Sequence, residues 1–168
     1  TIKYSAPITI SVKIPSMGDG TSMALEIVCL AIDKPADAKK LLSLEISGVW
    51  INESREISKT IVDAASGRIG RYPSANMLGG QIYRKYIIMD TNPPSDDHYI
   101  YKLFEEQQPP NGWEIFYQPP ALLYEKGEYV PNPKAENVNN HVFKYDYWLD
   151  QVAGKDKQWV NVYIMGQY

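Results

Sequence analysis

The sequence predicts an α/β fold: a mainly parallel sheet flanked by helices, with an N-terminal antiparallel hairpin. Three observations lead there. Two apolar runs, residues 44–53 (LEISGVWINE) and 81–90 (QIYRKYIIMD), each end at an abrupt polar cluster. A stretch suited to a helix follows each run, residues 58–65 (SKTIVDAA) and residues 95–107 (SDDHYIYKLFEEQ). Strand followed by helix, twice, is the pattern of parallel strands joined by crossovers, and such sheets hold ligands beyond the carboxyl ends of their strands. Upstream, residues 9–14 (TISVKI) alternate polar and apolar side chains, and the run at 23–32 (MALEIVCLAI) supplies a second strand across a turn.

In chain order, Ile8, Ile10, Val12 and Ile14 share one strand face, and Pro15, Gly18, Asp19 and Gly20 turn the chain. Residues 23–32 read as the more deeply buried partner. Asp33, Pro35 and Asp37 open a short helix whose apolar side is Ala38, Leu41, Leu42 and Leu44. The run at 44–53 is apolar enough for both faces to be covered, as parallel strands require. Ser58 is placed to cap the next helix and Gly67 to stop it. Residues 67–80 follow as a glycine-bearing loop with Arg68 and Arg71, and residues 81–90 form the next strand. Ser95 then caps the helix at 95–107, with Asp96 and Asp97 at its positive end, His98 on its surface, and Ile100, Leu103 and Phe104 on one face. Residues 113–117 (WEIFY) read as a short strand, residues 121–140 as a polar excursion with a hairpin at Lys126 and Gly127, and residues 144–153 and 155–168 as helices. Tyr147, Trp148, Leu149, Trp159, Val160, Tyr163 and Ile164 are their packing residues, and all four tryptophans read as core anchors.

At 168 residues without an internal repeat, residues 1–168 form one domain with one core. A net charge of −3 excludes a uniformly basic coat and leaves any nucleic-acid contact to a local patch. The single cysteine, Cys29, fits a reduced compartment, and two histidines far apart, His98 and His141, provide no zinc site. No run approaches the roughly 18 apolar residues of a membrane span, so the expectation is a cytoplasmic protein. The chain opens on Thr1 in strand-like sequence without an initiator methionine, the start expected of a fragment.

Chemistry gathers at the two polar exits. Asn52, Glu53, Ser54, Arg55 and Glu56 leave the first strand, setting two carboxylates, a hydroxyl, an amide and a guanidinium past its end; Asp90, Thr91 and Asn92 leave the second. Hydrolysis of a nucleoside triphosphate needs an oriented water and neutralised phosphate oxygens, and these residue types supply such groups. Two other readings stand beside it. Glu53 and Asp90 could be the acid/base pair of a different hydrolase. Alternatively, thirteen tyrosines and four tryptophans furnish an aromatic-rich, non-catalytic interaction module.

The block GDGTSMALEIVCLAIDKPADAKKLLSLEISGVWINESREI, followed by GRIGRYPS, IIMDTNPPSDDHYIYKLFEE, GWEIFYQPPAL and KDKQWVNVYIMGQY, resembles the ATPase domain of tailed-bacteriophage terminase large subunits, the motors that package viral DNA. The order and spacing of the blocks carry the likeness over nearly the whole chain. It implies an incomplete P-loop-NTPase-like fold of the additional-strand class, with residues 49–53 as the Walker B element. Glu53 is then the water-activating glutamate, and Asp90, Thr91 and Asn92 the motif that senses the γ-phosphate and couples hydrolysis to movement. Asn52 stands where the family has a metal-associated aspartate, so it touches Mg²⁺ only weakly, through water. Arg68 or Arg71 takes the place of an arginine reaching a neighbouring subunit's phosphate. Implied for the intact motor are ATP and Mg²⁺ as cofactors, double-stranded DNA, the portal and the small terminase subunit as partners, an oligomer, and the host cytoplasm.

Two parts of the family pattern are missing. No G-x-x-x-x-G-K-[ST] occurs, and Gly154-Lys155-Asp156 does not replace it. The carboxylate-rich nuclease domain is also lacking. The chain is therefore expected to hold part of the sheet and, alone, neither to bind ATP well nor to turn it over.

Overall fold

The computed structural model describes residues 1–32, 34–79, 83–136 and 138–167, a mixed α/β chain with three small sheets. The N-terminal alternation gives the expected hairpin. Strand β2 (Ile8–Ile14) pairs antiparallel with β3 (Met23–Cys29), from Ile8 opposite Cys29 to Ile14 opposite Met23, and β1 (Ile2–Lys3) joins the other side of β2. This register puts Ile8, Ile10, Val12 and Ile14 on one face with Met23, Leu25, Ile27 and Cys29. Deep burial of the second strand does not follow. Every residue of β3 is exposed, because this apolar face carries no complete covering layer.

A 3₁₀ turn at Pro35–Asp37 leads into α1 (Ala38–Leu41). Asp33 lies outside the described residues, and Lys34 stands at the cap. Leu41, with Ile61 and Ala65 of α2 (Lys59–Ser66), makes a first core, against which Leu30, Ile32, Leu44, Val49 and Ile57 pack. Leu42 is corrected to an exposed position: one residue past Leu41 the helical turn rotates it off the buried stripe.

Strands β4 (Gly48–Ile51) and β5 (Tyr86–Met89) pair in parallel, Gly48 beside Tyr86 and Ile51 beside Met89. Both are shorter than the sequence predicts. Residues 44–47 contribute only a parallel bridge from Ile46 to Ile69, and Gln81 and Ile82 lie outside the described residues. The covered-on-both-faces expectation is overturned. Val49, Ile51, Ile87 and Met89 turn inward, while Trp50, Tyr86 and Ile88 share an open face, Trp50 with 69% of its surface exposed. Trp50 is thus no core anchor. Gly48 is required here, since a Cβ would stand 2.8 Å from the Tyr86 ring.

Between these strands, Ala75–Leu78 forms a one-turn helix, α3, where a loop was expected. Gly79 ends it at φ +56°, and Gly80 lies outside the described residues. The helix expected at 95–107 begins later, as α4 (Tyr99–Tyr101), and continues as a π-helical turn, Lys102–Glu106. Ser95 spends its hydroxyl on the Asp97 carboxylate, so the cap passes to His98, whose Nδ1 accepts the Ile100 amide at 3.2 Å. Residues 113–117 are not a strand. Strand propensity forms none without a partner to pair with, and prolines bracket the segment. Contacts between side chains hold it instead, with Trp113 against Phe104 and the Tyr117 hydroxyl on Glu105 at 2.6 Å.

Strands β6 (Leu122–Glu125) and β7 (Glu128–Pro131) form the hairpin at Lys126 and Gly127, both at positive φ as a two-residue connection demands. Helices α5 (Lys144–Val152) and α6 (Lys157–Tyr163) follow. Tyr168 lies outside the described residues. Leu122, Val160, Ile164, Met165, Ala121 and Val138 are buried together as a second core, ringed by Trp148, Trp159 and Tyr145. Of the predicted packing residues, Leu149 and Tyr163 stay exposed. Among the described residues, two buried clusters thus replace the single expected core. The surface is 12667 Å², against roughly 8400 Å² for a compact chain of this mass.

The two helix caps differ in a testable way. Asp156 accepts the Trp159 amide at 2.8 Å, whereas Ser58 occupies its cap without such a bond and its hydroxyl is buried without a partner. Asp156→Ala should cost about 1 kcal/mol in urea unfolding, the ordinary value of a cap, and Ser58→Ala less than about 0.5 kcal/mol.

Candidate functional site

The parallel register sets what meets at the carboxyl edge of the β4–β5 pair. Beyond Ile51 and Met89 the pairing continues: the Asp90 amide donates to the Ile51 carbonyl at 3.2 Å, and the Ser54 amide donates to the Asp90 carbonyl at 2.9 Å. The Ser54 hydroxyl donates to that same carbonyl at 3.2 Å, and Ser54 is completely buried. Asn52, Glu53, Asp90, Thr91 and Asn92 are therefore gathered at one edge. Asn52, Glu53, Asp90 and Thr91 are exposed, and Asn92 is half-buried.

Glu53 occupies the left-handed region, φ 51° and ψ 50°, at the start of the 3₁₀ turn Ser54–Glu56. A non-glycine residue there costs about 1–2 kcal/mol, sustained by the bonds on either side of it. The Glu56 amide closes the turn onto the Glu53 carbonyl at 2.9 Å, and the Tyr99 hydroxyl donates to the Ser54 carbonyl at 3.2 Å. Burial, reinforced by the Asp63 carboxylate, pushes the Tyr99 phenol up to about 12. The Asp90 carboxylate accepts from the Trp50 indole, which fixes its direction.

Arg55 ties this edge to the C-terminal part of the chain. Its amide donates to the Thr91 hydroxyl at 3.3 Å; its guanidinium donates to Glu56 at 3.0 Å, to the Pro93 carbonyl at 3.4 Å and to the Tyr163 hydroxyl at 2.7 Å. It also lies over the Tyr163 ring, 5.2 Å from its centre. The hydrogen bond to Glu56 holds the guanidinium pKa above its ordinary value.

Ser54 and Arg55 were legible as part of the polar exit, though not as the residues that hold the edge; the parts played by Trp50 and Tyr99 had no signal in the sequence. Arg68 and Arg71 do not join the cluster. The Ile46–Ile69 bridge holds their loop before the start of β4, on the order of 15 Å of extended chain from its end. Arg71 donates through Nε to the Gly67 carbonyl at 3.0 Å.

A groove of about 1010 Å³ runs beside the edge, lined by Arg55, Pro94, His98, Asp156, Trp159 and Tyr163 among others, but neither Glu53 nor Asp90 lines it. These two carboxylates are not enclosed as an acid/base pair would be. Among the described residues no three His, Cys, Asp or Glu side chains gather as a metal site, and no helix is long and apolar enough to cross a membrane. Comparison with protein-family models, curated proteins and solved structures found no match.

Two outcomes follow from this geometry. Glu53→Gly relieves the left-handed backbone and should raise stability by about 0.5–1 kcal/mol in urea unfolding; a loss would show that the side chain itself holds the turn. Tyr99 keeps its proton in the folded chain above its ordinary 10.0, so the unfolded state releases protons first, and stability falls as pH rises from 10 towards 12. Alkaline unfolding followed by circular dichroism should show a shallower fall over that window for Tyr99→Phe.

Proposed function

We propose that this chain carries the water-activating and coupling strands of a nucleoside-triphosphate-driven DNA-packaging motor of the terminase large-subunit type, within a P-loop-NTPase-like sheet. The observation that carries the reading is the parallel register of β4 and β5, which sets Asn52 and Glu53 beside Asp90, Thr91 and Asn92 at one exposed carboxyl edge. A water-activating carboxylate and a phosphate-sensing polar group must stand side by side for in-line attack on a phosphoryl group. In this reading Glu53 orients and deprotonates the water, while Thr91 and Asn92 face the transferred phosphate. Asp90, fixed by Trp50, sets their direction.

ATP and Mg²⁺ are the cofactors of the intact motor. Mg²⁺ is normally held by phosphate oxygens, water and one or two carboxylates. Asn52 offers it an amide through water, and the sequence offers no phosphate loop. The residues present fit the edge of such a site rather than its cradle, and no chemical step is assigned to this chain alone. Double-stranded DNA, portal and small subunit belong to the same proposal.

Phosphate release from radiolabelled ATP tests it. The chain alone should release phosphate at background rate. With a phosphate loop supplied on the same polypeptide, turnover should appear, and Glu53→Gln should lower it by about 10²-fold or more with ATP still bound. Turnover by the chain alone that Glu53→Gln abolishes would sink the partial-site reading, and turnover indifferent to Glu53→Gln would sink the role of Glu53.

A further inference from the structure

The hairpin of β2 and β3 has an apolar face without a complete covering layer. Its register sets Ile8 opposite Cys29, Ile10 opposite Ile27, Val12 opposite Leu25 and Ile14 opposite Met23, and directly opposed side chains stand on the same side of a sheet. Strand β1 adds Ile2, opposite Ile10, to that side. Ile2, Ile8, Val12, Met23, Leu25 and Ile27 each keep 36–48% of their surface exposed.

The charges of this sheet lie on its other side. Lys3 opposes Thr9, Ser11 opposes Glu26 and Lys13 opposes Ala24, so the charged residues of β1, β2 and β3 all alternate away from the apolar face. Two such faces meet without burying a charge or setting like charges against each other. With the weak Cys29 thiol as its only polar side-chain group, the face has no directional contact by which to single out a foreign chain.

Area favours a second copy as the occupant. At roughly 600 Å² the face matches the largest apolar patches of ordinary monomers, which mark interaction sites. A second copy brings the same face, so the two together offer roughly 1,200 Å², the lower end of stable protein–protein interfaces.

We infer that two copies of this chain pack through these faces, hairpin on hairpin about a two-fold axis, as a small β-sandwich with its sheets about 10 Å apart. Such a contact is isologous. It differs from the arginine reaching a neighbouring subunit's phosphate that the sequence resemblance implies, and it does not rest on hydrolysis at Glu53.

Sedimentation velocity of the full chain in reducing buffer, over a range of concentrations, tests it. The mass should rise with concentration from 19.1 kDa towards twice that value, with a dissociation constant on the order of 10⁻⁵ M, the weak end for a small interface without polar anchors. Leu25→Glu sets like charges against each other within the contact and should weaken dimerisation by about 100-fold or more. Val28→Glu, the same kind of change at an exposed position on the charged side of the same strand, should alter it by less than about 2-fold. Folding of each variant is checked by circular dichroism, and Val12→Glu, directly opposite Leu25, should weaken dimerisation likewise if Leu25→Glu does not fold. A chain that stays at 19.1 kDa up to about 10⁻⁴ M, or that grows past two copies, would overturn the inference. So would an association that Leu25→Glu leaves intact, or one that Val28→Glu weakens as much, the mark of pairing along the open edge of β3 rather than through its face.

Discussion

Two strands of four residues are too short to define a site by their own ladder, and the bonds made just past their ends supply what they lack. Ser54 is central. Completely buried, it gives both amide and hydroxyl to the Asp90 carbonyl and receives the Tyr99 hydroxyl on its own carbonyl. The Asp90 carbonyl thereby accepts two hydrogen bonds from one residue, each contributing about 0.5–1.5 kcal/mol. These bonds keep β4 and β5 in one register and hold Glu53 in its left-handed turn. Arg55 then carries the constraint across the molecule, because its amide reaches Thr91 and its guanidinium reaches Tyr163.

The packing around this framework is one-sided. A parallel pair normally has both faces covered, yet Trp50, Tyr86 and Ile88 stand open, as does the apolar face of β2 and β3. Two modest clusters, one around Leu41 and one around Leu122, hold the chain instead of a single continuous core. Contacts between side chains also join separate segments, as at Tyr117 with Glu105 and Arg55 with Tyr163.

What the sequence made legible was local. The alternation at residues 9–14, the turn chemistry of Lys126–Gly127 and the start and stop residues Ser58 and Gly67 around α2 are written within a few residues, and those elements formed where expected, whereas the helix expected over residues 155–168 is confined to Lys157–Tyr163. The meeting of Glu53 with Asp90–Asn92 was legible because each strand ends at a polar exit. Burial was not, because it depends on which layer lies opposite: Trp50 and the whole of β3 look like core in sequence and are exposed. The Arg55 contacts were equally hidden, since their partners lie 36 and 108 residues away. Residues 113–117 had strand composition but no neighbour to pair with, and His98 took a cap that Ser95 gave up to Asp97.

The strand pair also separates charge along its length. Arg84 and Lys85 precede β5 and the arginine loop lies near the start of β4, whereas Glu53 and Asp90 follow the far ends of the same two strands. The pair therefore carries a dipole along its strand axis, positive at the amino end and negative at the carboxyl edge, in addition to anything its backbone contributes.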